Sequence, residues 1–513
     1  MIPRRLRAVA LGVAVSFGAG CATARPPAPA GSTAPASDTA APPTTGHGEG
    51  RGPVLARAID GVLASPAFAR ASVGLVVQSL ATGETLYRRN GQTWLVPAST
   101  MKVLTAVAAA QRLGWNYRFE TRLVALGPVV DGVLDGDLLV VGTGDPTINA
   151  RHPSRVDVLD AWAAALRAQG IRRIAGHVIG DDRLVEPIGW GIGWAWDDLV
   201  EDYGAPYGAL QYNENVVRLT MGPGVTPGAP PVFYLSPAEH GLLVDLQATT
   251  AAVGAPASLS AVRQPGTRLL EIRGQVPLDG APMSTTVAVP NPTQFFAGQL
   301  RQALLRHGIE VSGAGIDVDE ASDPPRASDG TTLLVDQSAP LSDIAAAMLA
   351  WSINVYAETL VVALDQTPPA TAADGLDVLR STLEALGVPR GTFLTRDGSG
   401  LSRNDYLSAD ALVATLAGAW HSPTLRGPLM EALPFAGGPG TLQRRLAGTP
   451  AAGRVRAKTG SMSNVRSLAG YVDSLAGEPL VFAFLANGFD VRASEIDAGV
   501  DALLQALVAL PRD

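Results

Sequence analysis

The stretch Pro97-Ala98-Ser99-Thr100-Met101-Lys102-Val103-Leu104 decides how the rest of the chain is read. Proline precedes an apolar run, and the pattern predicts a helix from about Ala98 to Leu113. Ser99 and Lys102 stand at i and i+3, which sets a hydroxyl and an amine on one helix face within hydrogen-bond reach. A serine nucleophile needs an adjacent base, and no histidine is near. Lys102 is the natural base. It must then be neutral, so its pKa has to fall by ~3 units from its reference value. Burial, the dipole of the helix N-terminus and a neighbouring cation all push in that direction.

A second observation bears on the same residue. The chain holds 39 basic residues, of which only Lys102 and Lys458 are lysines. Under a bias toward arginine, lysine survives where guanidinium cannot replace it, and an arginine cannot give up its proton at working pH. Both lysines are therefore candidate functional groups.

Further along, Ser352-Ile353-Asn354, followed by Ala357-Glu358, lies in a region of helical apolar spacing at Leu341–Leu364. Lys458-Thr459-Gly460-Ser461 starts a strand entering a C-terminal hairpin, with a strand at Val465–Asp473, a turn at Ser474–Gly477, a strand at Pro479–Asn487 and a closing helix near Ile496–Leu510. Ser-x-x-Lys, a Ser-x-Asn triplet and Lys-Thr-Gly, in that order, form the signature of penicillin-binding proteins and class A β-lactamases. The three motifs use both lysines.

With these residues in place, the chain resembles the class C low-molecular-mass penicillin-binding proteins, the D-alanyl-D-alanine carboxypeptidase/endopeptidase family. The likeness runs over about residues 53–510. It includes Gly136-Asp137-Leu138 and Gly142-Thr143-Gly144-Asp145-Pro146, then Gly193-Trp194-Ala195-Trp196-Asp197-Asp198. Asp397-Gly398-Ser399-Gly400-Leu401-Ser402-Arg403, Gly440-Thr441-Leu442 and Leu468-Ala469-Gly470-Tyr471 complete it. The 250 positions from Lys102 to Ser352 match a class that inserts extra domains between the first two motifs.

The resemblance implies an α/β (α+β) fold: a serine β-lactamase/transpeptidase-like domain, an antiparallel sheet flanked by helices, with a large insertion. The expected division is a peptidase domain at 53–115 and 333–513 and inserted domains at 116–332 overhanging the site. It also implies roles. Ser99 attacks a D-Ala-D-Xaa carbonyl, and Lys102 takes its proton. Ser352 and Lys458 relay a proton to the leaving amine, and Asn354 holds the acyl-side amide and Lys102. Backbone N–H groups of Ser99 and Ser461 form the oxyanion hole. The Thr459 and Ser461 hydroxyls grip the substrate carboxylate, and Gly460 lets the strand approach the substrate. Asp198, Tyr203 and Arg403 resemble a pocket for a diamino-acid side chain; a structural aspartate among packed tryptophans is the equal alternative for Asp198. No cofactor is implied. The partners are peptidoglycan stem peptides, with β-lactams as covalent inhibitors.

At the other end of the chain, Arg4, Arg5 and Arg7 precede a short apolar run at Ala8–Phe17, and Gly18-Ala19-Gly20-Cys21 resembles a lipoprotein cleavage site, with Gly18 where leucine is more usual. Residues 1–21 are read as an export signal to the periplasm, with Cys21 as the lipidation site; an ordinary secretory signal cleaved nearby is the alternative. The apolar run is too short to span a membrane. Residues 22–52, rich in Pro, Ala, Thr and Ser, are read as a solvated tether.

Composition closes off other classes. The formal net charge of −8 argues against nucleic acid. One cysteine permits no disulfide framework within the chain, and six scattered histidines show no metal-ligand spacing. Two other readings share the motifs: a β-lactamase or esterase using the same Ser-Lys site, and a non-catalytic cell-wall-binding lipoprotein. The long insertion and the lack of an evident deacylation carboxylate disfavour the first. The complete set of motif residues disfavours the second.

Overall fold

The computed structural model describes residues 51–186 and 189–511. The expected signal, Cys21 and nearly all of the tether lie outside the described residues. No helix among the described residues is long and apolar enough to cross a membrane.

The C-terminal apolar runs and the early hairpin form one antiparallel sheet. Its order is Thr85–Arg89, Ser72–Ser79, Pro479–Asn487, Val465–Asp473 and Val455–Met462. Alternation along Pro479–Asn487 shows why the sheet is buried on both faces. Val481, Ala483 and Leu485 enter one core, while Leu480, Phe482, Phe484 and Ala486 enter the other. The helices Arg51–Leu63 and Ala493–Val508 cover the second face. Met101–Leu113, Leu341–Trp351, Asn354–Leu364, Ala372–Ala385 and Ala409–His421 cover the first.

Two local features set up the site. Every residue from Met101 to Ala110 is buried, so this part of the helix has no solvent face and carries Lys102 into the core. The helical spacing at Leu341–Leu364 is not one helix. It breaks at Ser352, which takes the left-handed conformation (φ 63°, ψ 36°) and separates Leu341–Trp351 from Asn354–Leu364. A left-handed non-glycine residue is held only where its surroundings fix it, and such residues cluster at functional sites.

Between the first two motifs the chain builds a mixed sheet in the order Gly315–Asp317, Val178–Asp181, Asp137–Gly142, Glu120–Leu126 and Thr331–Gln337. The helices Val158–Ala168 and Pro292–Arg306 pack on it. A β-rich part spans Val216 to Ala288, where a three-stranded and a four-stranded sheet share a core of Leu219, Met221, Leu270, Ile272 and Val276. Thr331–Gln337 pairs antiparallel with Glu120–Leu126. Residues 333–337, expected in the peptidase domain, are thus hydrogen-bonded into this mixed sheet, their ladder partner among the described residues being Glu120–Leu126.

Candidate active site

Ser99 sits in a single 3-10 turn, Ala98–Thr100, that leads into the helix Met101–Leu113. One helical turn later Lys102 places its Nζ 2.9 Å from Ser99 Oγ. The same nitrogen is 2.6 Å from Asn354 Oδ1 and 2.8 Å from the Ser399 carbonyl oxygen. Lys102 is fully buried, and burial lowers its pKa to about 7 against the raising pull of Asp397, Glu358 and Asp405. The expected help from a neighbouring cation is not among the causes; removal from water does the work.

Lys458 lies on the edge strand Val455–Met462, also fully buried. Its Nζ donates to Ser352 Oγ at 2.8 Å and to its neighbour's carbonyl, Thr459 O, at 2.7 Å. Burial first, then the charge of Lys102, holds its pKa well below the lysine range. Along this strand Thr459 and Ser461 share one face, and Lys458 and Gly460 the other. A Cβ on Gly460 would sit 2.1 Å from Ser467 Oγ, 2.7 Å from Pro97 O and 3.0 Å from Ser99 N. Glycine is thus what lets this strand lie against the turn bearing Ser99. Thr459 Oγ1 contacts Thr441 Oγ1 at 2.9 Å, and Ser461 is exposed.

Behind Lys102 lie acids to which the sequence reading gave no part. Glu358, fully buried one turn after Asn354, accepts the N–H groups of Gly398 (3.0 Å) and Ser399 (2.9 Å). Burial, then Asp397, raises it to about 8. Asp397 accepts from Gly400 N, Ser402 N and the indole Nε1 of Trp194 (2.8 Å). Burial, then Asp397, pushes Asp405 well above the carboxylate range. The signal for Glu358 in the sequence is an acid in an otherwise apolar helix; Asp397, by accepting N–H groups of the residues that follow it, also performs turn chemistry.

The segment near 192–203 reaches this site by three hydrogen bonds among the described residues. Trp194 holds Asp397, Ser402 Oγ donates to Ile192 O at 2.7 Å, and Asn354 Nδ2 donates to Tyr203 O at 2.7 Å. The last bond also orients the Asn354 amide, since its nitrogen is engaged and its oxygen faces Lys102. Tyr203 OH donates to Asp198 Oδ1 at 3.0 Å, so these two residues are brought together. Arg403 is exposed, next to Ser402, and forms no hydrogen bond to either among the described residues.

The sequence profile of the D-Ala-D-Ala carboxypeptidase 3 (S13) family matches residues 55–507. The chain belongs to that family. Among its S13 relatives is the D-alanyl-D-alanine carboxypeptidase of Actinomadura sp. (strain R39), 36% identical over 451 residues, covering 84% of this chain and 80% of that protein. The D-alanyl-D-alanine carboxypeptidase DacB of Haemophilus influenzae is 30% identical over 426 residues, covering 82% and 86%. The crystal structure of penicillin binding protein 4 from Haemophilus influenzae superposes with a TM-score of 0.76 at 29% identity, covering 88% of this S13 chain and 98% of that one. The same protein complexed with a β-lactam gives 0.71 at 27% identity, with the same coverage. The expected transpeptidase-like fold is thereby borne out.

Proposed function

We propose that this S13 family member is a serine-type D-Ala-D-Ala carboxypeptidase of peptidoglycan stem peptides, working through an ester on Ser99. The carrying observation is the set of partners around Lys102 Nζ. Asn354 Oδ1 and Ser399 O can only accept hydrogens, whereas Ser99 Oγ can donate one. A neutral amine has two N–H groups and one lone pair. With the two hydrogens given to the two acceptors, the lone pair is left for Ser99.

In this reading Lys102 takes the Ser99 proton as Oγ attacks the carbonyl of the terminal D-Ala-D-Xaa bond. The oxyanion develops against the N–H groups of Ser99 and Ser461. The C–N bond then breaks, and the proton taken up by Lys102 passes to the leaving amine through Ser352 and Lys458, whose 2.8 Å contact forms the relay, which leaves Lys102 neutral again. Water hydrolyses the ester and frees Ser99. Asn354 holds the acyl-side amide and Lys102. Thr459 and Ser461 grip the substrate carboxylate, and Lys458 adds charge once that carboxylate is bound. Asp198 and Tyr203, together with Arg403, receive the ammonium end of a diamino-acid side chain. A bond whose amine belongs to a neighbouring stem peptide is cut by the same steps, which gives an endopeptidase action.

β-Lactams acylate Ser99 in place of substrate. The site of action is the periplasm, with retention by a lipid on Cys21. Intact-mass measurement after incubation with benzylpenicillin tests the core of this reading. One adduct per chain is expected for the native protein and none for a folded Ser99→Ala variant, and a stoichiometric adduct on that variant would remove Ser99 as nucleophile.

A further inference from the structure

The loop from Arg396 to Asp405 carries the Ser399 carbonyl to Lys102, and it starts and ends at one short hairpin, Phe393–Leu394 paired with Tyr406–Leu407. Asp405 stands at the foot of that loop and is 0% exposed. Its two oxygens are unlike. Oδ1 accepts the N–H groups of Arg396 at 2.5 Å and Asp397 at 3.4 Å. Oδ2 is buried and accepts from no donor among the described residues. The Asp397 side chain nonetheless lies in hydrogen-bonding contact with Asp405. Asp397 is placed differently. Its Oδ1 takes the Gly400 N–H at 2.6 Å, and its Oδ2 takes the Ser402 N–H at 2.7 Å and the Trp194 Nε1–H at 2.8 Å.

Two carboxylates cannot hydrogen-bond to each other without a proton, and the oxygen that no donor reaches is the one left to carry it. Asp397, with donors on both oxygens, keeps the charge. The groups that face Asp405 from the packed elements agree. Asp397 in its own loop and Glu358 on Asn354–Leu364 both favour a proton on it. Lys102, on Met101–Leu113, would feel an ionised Asp405 as one more anion holding a proton on its amine. We propose that Asp405 is a neutral carboxylic acid in the folded enzyme, donating its Oδ2 hydrogen to the Asp397 carboxylate, and that it ties the foot of the Ser399 loop without adding an anion behind Lys102. Asp405 is thus a positioning residue that acts through Asp397 and touches no reacting atom. Its effect on rate rests on the reading of Lys102 as base; its protonation does not.

Asp405→Asn is the deciding variant. The amide keeps an acceptor for the Arg396 and Asp397 N–H groups and puts an N–H where the acid hydrogen stands. Its Tm at pH 5 should lie within about 2 °C of native. Between about pH 4 and pH 8 the unfolded chain releases the Asp405 proton while the folded native protein keeps it, so native stability falls relative to the variant as pH rises. The Tm difference should move in the variant's favour by about 4 °C over that range. The midpoint of its acylation–pH profile should stay within about 0.3 unit of native, since no charge has been removed beside Lys102. Asp405→Ala leaves both N–H groups and Asp397 without their partner, and should lower Tm at pH 5 by more than about 4 °C and slow acylation at least about threefold. A Tm difference between native and Asp405→Asn that does not change with pH, or an acylation midpoint that drops in that variant, shows an ionised Asp405 and overturns the proposal. An Asn variant that melts as low as Asp405→Ala, or an Ala variant with native Tm and rate, overturns it too. The melting series does not involve Lys102 and judges Asp405 alone, whereas a native acylation profile without a midpoint near pH 7 counts against the reading of Lys102.

Discussion

Lys102 Nζ lies 2.8 Å from the carbonyl oxygen of Ser399, a residue 297 positions away in the chain. That oxygen is aimed rather than incidental. The Ser399 N–H is held by Glu358, the Gly398 carbonyl is held by Thr105 Oγ1 at 2.7 Å, and Asp397 gathers the N–H groups of Gly400 and Ser402. The loop is therefore fixed from several sides, and its carbonyl removes one of the orientations open to the Lys102 amine. Together with Asn354, on the proposed reading of Lys102 as base, this leaves the lone pair for Ser99. The arrangement is pre-organised before any substrate arrives.

The acylation rate should follow the neutral fraction of Lys102. Its pKa is lowered to about 7, so the rate rises with pH through that value and levels off above it. One pH unit below, about a tenth of the amine is neutral, and acylation should be roughly tenfold under its plateau. A lysine of ordinary pKa would keep the rate climbing beyond pH 9. Stopped-flow acylation with a chromogenic cephalosporin over pH 5–10 distinguishes the two profiles.

Lys102→Arg and Lys458→Arg should both fail, for related reasons. Arginine stays protonated in proteins, so Lys102→Arg keeps a cation and loses the proton acceptor. Acylation should drop by ~10²–10⁴-fold, the span that a general base supplies. Lys458 is fully buried with hydroxyl and carbonyl partners and, among the described residues, no salt bridge to a carboxylate. A permanent guanidinium there pays for desolvation without a counter-ion. A lowered melting temperature should accompany lost activity in Lys458→Arg, read by thermal denaturation beside the same kinetic assay. Near-native acylation by Lys102→Arg would end the case for Lys102 as base.

Glu358 should matter for both stability and rate. Glu358→Ala leaves the N–H groups of Gly398 and Ser399 buried without an acceptor, at a cost of ~1–3 kcal/mol each. The denaturant midpoint should fall accordingly. Acylation should slow further than the loss of folded protein explains, because the Ser399 carbonyl is no longer aimed. Glu358→Gln keeps the shape and one acceptor oxygen, so its defects should be milder. An alanine variant with native midpoint and native rate would show that the loop holds itself.

Much of this site was legible because its chemistry is carried by short local patterns. Ser99 and Lys102 meet through helix periodicity alone, and the strands that carry Lys458 follow from alternation and turn residues. What could not be read depends on contacts across the chain. Glu358 meets Ser399 over 41 positions and Trp194 meets Asp397 over 203, and no periodicity encodes either. The break at Ser352 was hidden for a different reason. Apolar residues on both sides keep a helical spacing, while the left-handed residue between them is met by a hydrogen bond from Lys458, 106 positions away. The pairing of Thr331–Gln337 with Glu120–Leu126 is likewise a long-range choice that no local pattern encodes.

Gly460 gives the most direct geometric test. The edge strand reaches the turn bearing Ser99 only because position 460 has no side chain, and a methyl group there would overlap Ser467 Oγ at 2.1 Å and crowd Pro97 O at 2.7 Å. The serine can swing away, although its hydroxyl would give up its hydrogen bond to Pro97 O. The carbonyl belongs to the backbone that leads into Ser99, so it can yield only by moving the turn or the strand. Either motion widens the gap between the N–H groups of Ser99 and Ser461, where the oxyanion is expected to form. Gly460→Ala should therefore fold, with a loss of ~1–3 kcal/mol as overpacking strain. Loss of one oxyanion donor costs ~10²–10³-fold in rate, and a displaced strand should approach that range. Acylation rate and denaturant midpoint, measured on the same preparation, check the two parts separately. A Gly460→Ala enzyme that acylates at the native rate would mean that the strand's close approach is not what builds the oxyanion site.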